Sequence, residues 1–146
     1  MMGEHLKSPE AIDDYPYFPA GTKSLLSKCL TRDIWEKLKD EKDDAGYTFK
    51  QAIFSGAKYT ESSVGVYAGD HSSYRKFAPL FDKIIQEYHG HKPQDKHIVN
   101  MDASKLNCPD FPPDEYAMIN STRIRVARNL AGYPLGTACK IGRAHV

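Results

Sequence analysis

The helical character of this chain is clearest in residues 77–90, Phe77-Ala78-Pro79-Leu80-Phe81-Asp82-Lys83-Ile84-Ile85-Gln86-Glu87-Tyr88-His89-Gly90. Apolar residues spaced three and four apart predict one buried helix face, made of Phe81, Ile84, Ile85 and Tyr88, with Tyr74 and Phe77 on a face just before it. Because proline inside a helix loses a hydrogen bond and clashes with the preceding turn, the pattern predicts two helices, the second starting near Pro79. Asp70 is the expected N-cap of the first helix, and His89-Gly90 the end of the second.

Three further helices are predicted upstream. Thr22 and Thr31 are candidate N-caps, and Thr48 with Gln51 three residues later forms a capping-box pattern. Gly56 is expected to end the third helix. The apolar faces, in chain order, are Leu25, Leu26, Cys29 and Leu30; Ile34, Trp35 and Leu38; and Phe49, Ala52 and Ile53. The chain is therefore predicted to be mainly α, with these faces forming its core.

Residues 121–130, Ser121-Thr122-Arg123-Ile124-Arg125-Val126-Ala127-Arg128-Asn129-Leu130, alternate as a strand would. This alternation places Arg123 and Arg125 on one face and Ile124 on the other, where it can anchor in a core. Two strand residues span about 6.7 Å, a spacing that suits two neighbouring phosphates held by guanidinium groups. Taken alone, the pattern is more typical of solvated surface arginines.

Composition limits the possible partners. The 146 residues carry 20 Lys and Arg against 19 Asp and Glu, a formal net charge of +1, so no global field attracts nucleic acid or an acidic membrane. Nucleic-acid binding through Arg123, Arg125 and Arg128 is accordingly a weak hypothesis. Cys29 and Cys108, like the third cysteine near the end of the chain, follow no disulfide or metal-ligand spacing, and no apolar signal segment begins the chain. We therefore expect a cytoplasmic protein without a metal site of its own.

Several blocks of the sequence together resemble the phosphagen (ATP:guanidino) kinases, which transfer a phosphoryl group between MgATP and a guanidino compound. Residues 62–70 look like the family's guanidino-specificity loop, residues 77–89 like the helix after it, and residues 121–135 like its nucleotide-contacting strand. The blocks stand in the family's order. With Pro19-Ala20-Gly21-Thr22 and Ser55-Gly56, the resemblance extends from about Asp14 to Lys140.

The resemblance assigns two sets of site residues. The guanidino substrate is expected to contact Ser63, Val64, Gly65, Val66 and Tyr67, and the nucleotide Ser121, Thr122, Arg123, Ile124 and Arg125. ATP or ADP with Mg²⁺ is the implied cofactor. No catalytic residue is assigned to this chain, because the family's catalytic carboxylate and reactive cysteine belong to a downstream domain. Without the resemblance, residues 62–69 are most simply a tight turn with a packed tyrosine.

The resemblance also implies an organisation and a function. We expect an extended arm (1–21), a helical guanidino-substrate domain (22–92), a linker (93–113), the first strand of a truncated α+β catalytic domain (114–140) and a non-native tail (141–146). The implied protein is the N-terminal part of an ATP:guanidino phosphotransferase, inactive as this piece alone, that acts on small molecules and not on nucleic acid or membranes. L-Arginine is the expected acceptor, with taurocyamine or another guanidino compound, or a non-catalytic interaction module, as alternatives.

Overall fold

The computed structural model of the chain describes residues 6–107 and 109–139. In these residues the helices are α1 (Leu25–Cys29), α2 (Arg32–Leu38), α3 (Phe49–Lys58), α4 (Ser73–Lys76), α5 (Ala78–His89) and α6 (Pro113–Tyr116), with short 3-10 helices at Pro9–Ala11, Ala103–Lys105 and Gly136–Ala138. The same residues contain no sheet, and their pairing is limited to one isolated antiparallel bridge between Lys42 and Thr48. The prediction of a mainly α chain is confirmed. The predicted tail at 141–146 lies outside the described residues.

Side-chain oxygens cap the N-termini of the first three α-helices. Thr31 Oγ1 caps α2, and Thr48 and Gln51 form the complete capping box of α3, as the sequence predicts. The expected cap at Thr22 is wrong, because Ser24 caps α1 instead. The Thr22 hydroxyl donates to the carbonyl three residues earlier, at 2.8 Å. That competing hydrogen bond places Thr22 in a turn before the helix.

Two other predicted boundaries differ from the structure, and two agree. Gly56 does not end α3, which continues to Lys58. Asp70 does not cap α4, because its carboxylate accepts hydrogen bonds from Ser72 in a turn before that helix begins. Pro79 lies in the first turn of α5, and Gly90 follows the helix with φ of 73°, a conformation that glycine adopts without strain.

The core lies where α1, α2, α3 and α5 bring their apolar faces together. In its aromatic centre Phe49 packs edge-to-face against Phe77, with ring centroids 5.4 Å apart, and Phe77 packs edge-to-face against Phe81 at 5.8 Å. On α5 the buried face runs through Leu80, which the predicted face omits, whereas Tyr88 is 62% exposed. The face that packs is therefore rotated from the predicted one, and α1 and α4 are the helices that contact α5.

The N-terminal arm packs on this core. Ile12 of the arm is buried in the hydrophobic core, and the Tyr15 hydroxyl donates to the Leu30 carbonyl at 2.7 Å. The Arg32 guanidinium lies over the Tyr15 ring, 5.2 Å from its centroid. The arm thus fixes the end of α1 and the start of α2.

The chain divides into two compact units: residues 6–94 with 130–139, and residues 95–129. In the second unit the strand predicted around Ile124 is not formed, and Ile124 and Val126 are 88% and 82% exposed. A strand is stabilised by pairing and by burial of one face, and the described residues of this unit provide neither. No helix formed by the described residues is long and apolar enough to cross a membrane.

Candidate functional site

The loop of residues 62–69 connects α3 to the turn before α4, and its carbonyl groups bind the helices behind it. The Ser63 and Val64 carbonyls accept hydrogen bonds from the first two amides of α1, each at 3.0 Å. The Gly65 carbonyl accepts from the Gly56 amide at 3.1 Å. Three successive carbonyl groups of the loop are therefore directed into the helical unit.

The next part of the loop is held by α3. The Tyr67 amide donates to the Ala52 carbonyl at 2.9 Å, while the Tyr67 side chain remains 49% exposed. The amides of Ser63, Val64, Gly65 and Val66, in contrast, have no hydrogen-bond acceptor in the part of the chain that the structure describes. Successive backbone amides without an internal acceptor are the donors that anion-binding loops use. The hydrogen-bonding capacity of these four amides is thus not used by the described residues.

A glycine pair sets how closely the loop approaches α3. A Cβ atom at Gly56 would lie 2.5 Å from the Gly65 oxygen and 2.7 Å from its Cα. Gly65 itself has φ of +85°, which disfavours other residues. Sequence reasoning treated Gly56 as a helix end, but its role here is to let the loop backbone contact the helix.

A buried carboxylate holds the far end of the loop, and sequence reasoning missed it. Asp43 is only 5% exposed, and its Oδ2 accepts from Ser73 Oγ at 2.6 Å. Ser73 Oγ in turn accepts from the Gly69 amide at 2.9 Å, and Asp43 Oδ1 accepts from the Tyr47 amide at 2.8 Å. Asp43 lies in the charged run 39–44, where composition predicts a solvated connection. The only signal that could have found it is the serine pair that follows the loop.

Asp70 adjoins this network. Partial burial acts to raise the pKa of Asp70, but hydrogen bonds from the side chain and amide of Ser72 and from the Ser73 amide outweigh it, so the pKa is lowered. A carboxylate bound in this way stabilises the turn between the loop and α4.

An open cleft of about 1030 Å³ lies beside the loop. Its walls are residues 19–23, at the end of the arm and directly after it, and residues 58–63, which include Ser62 and Ser63. This volume can hold a small molecule of the size of an amino acid. The cleft is thus bounded by Pro19–Thr22 and by the first residues of the loop, two of the blocks that carry the family resemblance.

The second predicted set of site residues lies in the other unit. Ser121, Thr122, Arg123, Ile124 and Arg125 are consecutive, irregular in conformation and exposed. Within the described residues Arg123 and Arg125 form no ion pair. The Arg128 guanidinium donates to the carbonyl of the preceding residue, at 2.7 Å. The strand geometry that would set the spacing of the two arginines is absent from this segment.

Comparison with known proteins identifies the class. Residues 20–86 match the family described as ATP:guanido phosphotransferase, N-terminal domain. Residues 20–86 are therefore the part of the chain that matches the N-terminal domain of the ATP:guanido phosphotransferase family, which confirms the resemblance drawn from the sequence.

The similar proteins are phosphagen kinases. The arginine kinase of Anthopleura japonica is 45% identical over 133 residues, 90% of this chain and 17% of that protein. The arginine kinase of Stichopus japonicus is 43% identical over 130 residues, 88% of this chain and 34% of that protein. A crystal structure of lombricine kinase matches 68% of this chain and 27% of its own, with a TM-score of 0.59 and 28% identity. The chain thus spans between about a sixth and a third of these relatives' length.

Proposed function

We propose that this chain is the N-terminal part of an ATP:guanidino phosphotransferase that reversibly transfers the γ-phosphoryl group of ATP to a guanidino acceptor, L-arginine. The observation that carries the proposal is the arrangement of the 62–69 loop, whose carbonyls are bound by the helices while four successive amides have no acceptor among the described residues. The names of the similar arginine kinases support the choice of acceptor. The cytoplasm is the proposed location.

In this proposal the loop binds the non-reacting end of the acceptor. The amides of Ser63, Val64, Gly65 and Val66 donate to its carboxylate, and hydrogen bonds to a charged acceptor are stronger than neutral ones. The half-exposed Tyr67 adds a hydroxyl donor and an aromatic wall. Since the loop backbone is tied to α1 and α3, the amides are oriented before the ligand arrives, which lowers the entropic cost of binding.

The nucleotide is assigned to Ser121, Thr122, Arg123, Ile124 and Arg125. Phosphoryl transfer depends on positioning and on stabilising charge spread over phosphate oxygens, and guanidinium groups provide that charge. Among the described residues no group of three His, Cys, Asp or Glu side chains could hold a metal ion. Mg²⁺ is therefore proposed to arrive on the nucleotide phosphates, where it is commonly bound.

The activity test joins residues 1–139 of this chain to the remaining C-terminal part of the Stichopus japonicus arginine kinase. We expect turnover with L-arginine to exceed that with taurocyamine, lombricine or creatine. Preference for another guanidino compound would replace L-arginine as the acceptor, and no guanidino turnover at all would contradict the proposal. The 146-residue chain alone should show negligible turnover, because no catalytic residue is assigned to it.

Two variants of the chimera separate the two binding roles. Tyr67→Phe should raise the KM for L-arginine by about two- to tenfold, the worth of one hydrogen bond, and leave the KM for ATP unchanged. Arg123→Ala combined with Arg125→Ala should raise the KM for ATP and lower kcat. Unchanged ATP affinity and turnover in the double variant would remove the arginines from the nucleotide site. If calorimetry on the chain detected a protein partner but neither ATP nor arginine, the alternative of an interaction module would be favoured.

A further inference from the structure

The chain returns to the 62–69 loop after leaving its unit. Residues 130–139, here called the return segment, belong to the same compact unit as the loop, whereas residues 95–129 form the other. The Leu135 amide donates to the Gly69 carbonyl at 2.7 Å. Thr137 Oγ1 donates to the Ala68 carbonyl at 3.4 Å and accepts from the Tyr47 hydroxyl at 3.3 Å.

These contacts converge on a single residue, Gly69. The Gly69 amide is bound by Ser73 Oγ at 2.9 Å, and its carbonyl is bound by the return segment. A Cβ atom at Gly69 would lie 2.4 Å from Tyr47 Cβ and 2.6 Å from Asp43 Oδ2, so no larger residue fits there. Gly69 is therefore restrained on both sides, two residues after Tyr67.

We infer that the return segment is a positioning element for the 62–69 loop, in which Leu135 and Thr137 fix Ala68 and Gly69 and so hold Tyr67 and the preceding amides in their binding arrangement. The inference rests on the proposed function, because it makes acceptor affinity depend on these residues. Leu135 lies ten residues after Arg125, so one continuous stretch of chain carries both the proposed nucleotide contacts and the restraint on the loop.

Two matched pairs of variants isolate the hydrogen bonds. Leu135 has φ of −75° and ψ of 163°, a conformation that proline adopts, so Leu135→Pro removes the amide donor without straining that residue's own backbone. Leu135→Ala removes the side chain and keeps the donor. Thr137→Val likewise removes the hydroxyl that Thr137→Ser retains.

The first readout is amide hydrogen exchange in the intact 146-residue chain, measured by mass spectrometry over residues 67–70, where the Tyr67 and Gly69 amides are hydrogen-bonded. Leu135→Pro should exchange about two- to tenfold faster there than Leu135→Ala, and Thr137→Val faster than Thr137→Ser, with unchanged exchange in α2. The second readout is the chimera with the Stichopus japonicus enzyme. Its KM for L-arginine should rise in Leu135→Pro and Thr137→Val by the same range, while the KM for ATP and the unfolding midpoint stay those of the matched controls.

The outcomes separate the two proposals. Equal exchange in Leu135→Pro and Leu135→Ala would overturn the positioning role, whatever the chimera does. Faster exchange with an unchanged KM for L-arginine in an active chimera would overturn it as well, since the restraint would then serve stability alone. A wild-type chimera that phosphorylates no guanidino compound would contradict the proposed function, and the exchange measurement would still decide whether the return segment restrains the loop.

Discussion

Replacing Gly56 by alanine tests how the 62–69 loop is held. The new Cβ would lie 2.5 Å from the Gly65 oxygen and 2.7 Å from Leu26 Cδ2. Ordinary contact begins near 3.4 Å, so the loop backbone must move by roughly an ångström, and overpacking of this kind costs about 1–3 kcal/mol. The movement also weakens the hydrogen bond from the Gly56 amide to the Gly65 carbonyl, worth about 1 kcal/mol.

Alanine has a higher helix propensity than glycine, which stabilises the variant by about 1 kcal/mol. The expected net loss of unfolding free energy is therefore about 2 kcal/mol. In a domain of this size that corresponds to a fall in Tm of roughly 10 °C. Thermal and urea unfolding followed by circular dichroism would measure the loss. Gly136→Ala is the matched control, because no atom lies within 4 Å of its Cβ position and its φ is not positive. Equal Tm values for the two variants, with unchanged exchange across residues 62–69, would refute the close contact.

Three further predictions concern side chains around the same unit. Ser73→Ala leaves the buried Asp43 carboxylate short of a donor and should cost about 1–3 kcal/mol in urea unfolding; a loss below about 0.5 kcal/mol would count against the network. Although partial burial acts to raise the pKa of Asp70, hydrogen bonds lower it from 3.8, so its stabilisation is present above that value and is lost as the pH falls through the lowered pKa. Unfolding midpoints between about pH 5 and pH 3 should therefore fall more steeply for wild type than for Asp70→Asn, and parallel curves would contradict this. Burial, followed by the charge of a nearby glutamate, raises the pKa of Cys29, so iodoacetamide should modify Cys29 more slowly than the exposed Cys139 at about pH 8; equal rates by peptide mapping would argue against it.

Several predictions that rest on interactions within one or two helical turns are confirmed. Thr31 caps α2, Thr48 and Gln51 form a capping box, and Pro79 and Gly90 mark the two ends of α5. In each case the interacting groups are at most four residues apart, so the local sequence contains both partners.

Predictions fail where a second acceptor or donor competes. Thr22 binds a carbonyl behind it and leaves the cap of α1 to Ser24. Asp70 accepts from Ser72 and so forms a turn before α4. The alternation around Ile124 predicts a strand, but a strand also needs a neighbour to pair with, and alternation carries no information about whether one is present.

By itself the sequence determined that the chain is mainly helical, where three of its α-helices begin, and which family its residue blocks resemble. These properties follow from short-range spacing, and from blocks whose residue types can be compared directly. Only the tertiary structure decided that Gly56 contacts Gly65, that the acidic side chain at position 43 is buried, and that residue 135 returns to bind Gly69. These contacts join segments from nine to more than sixty residues apart, and which of them meet depends on how the helices pack, a property that no local pattern encodes.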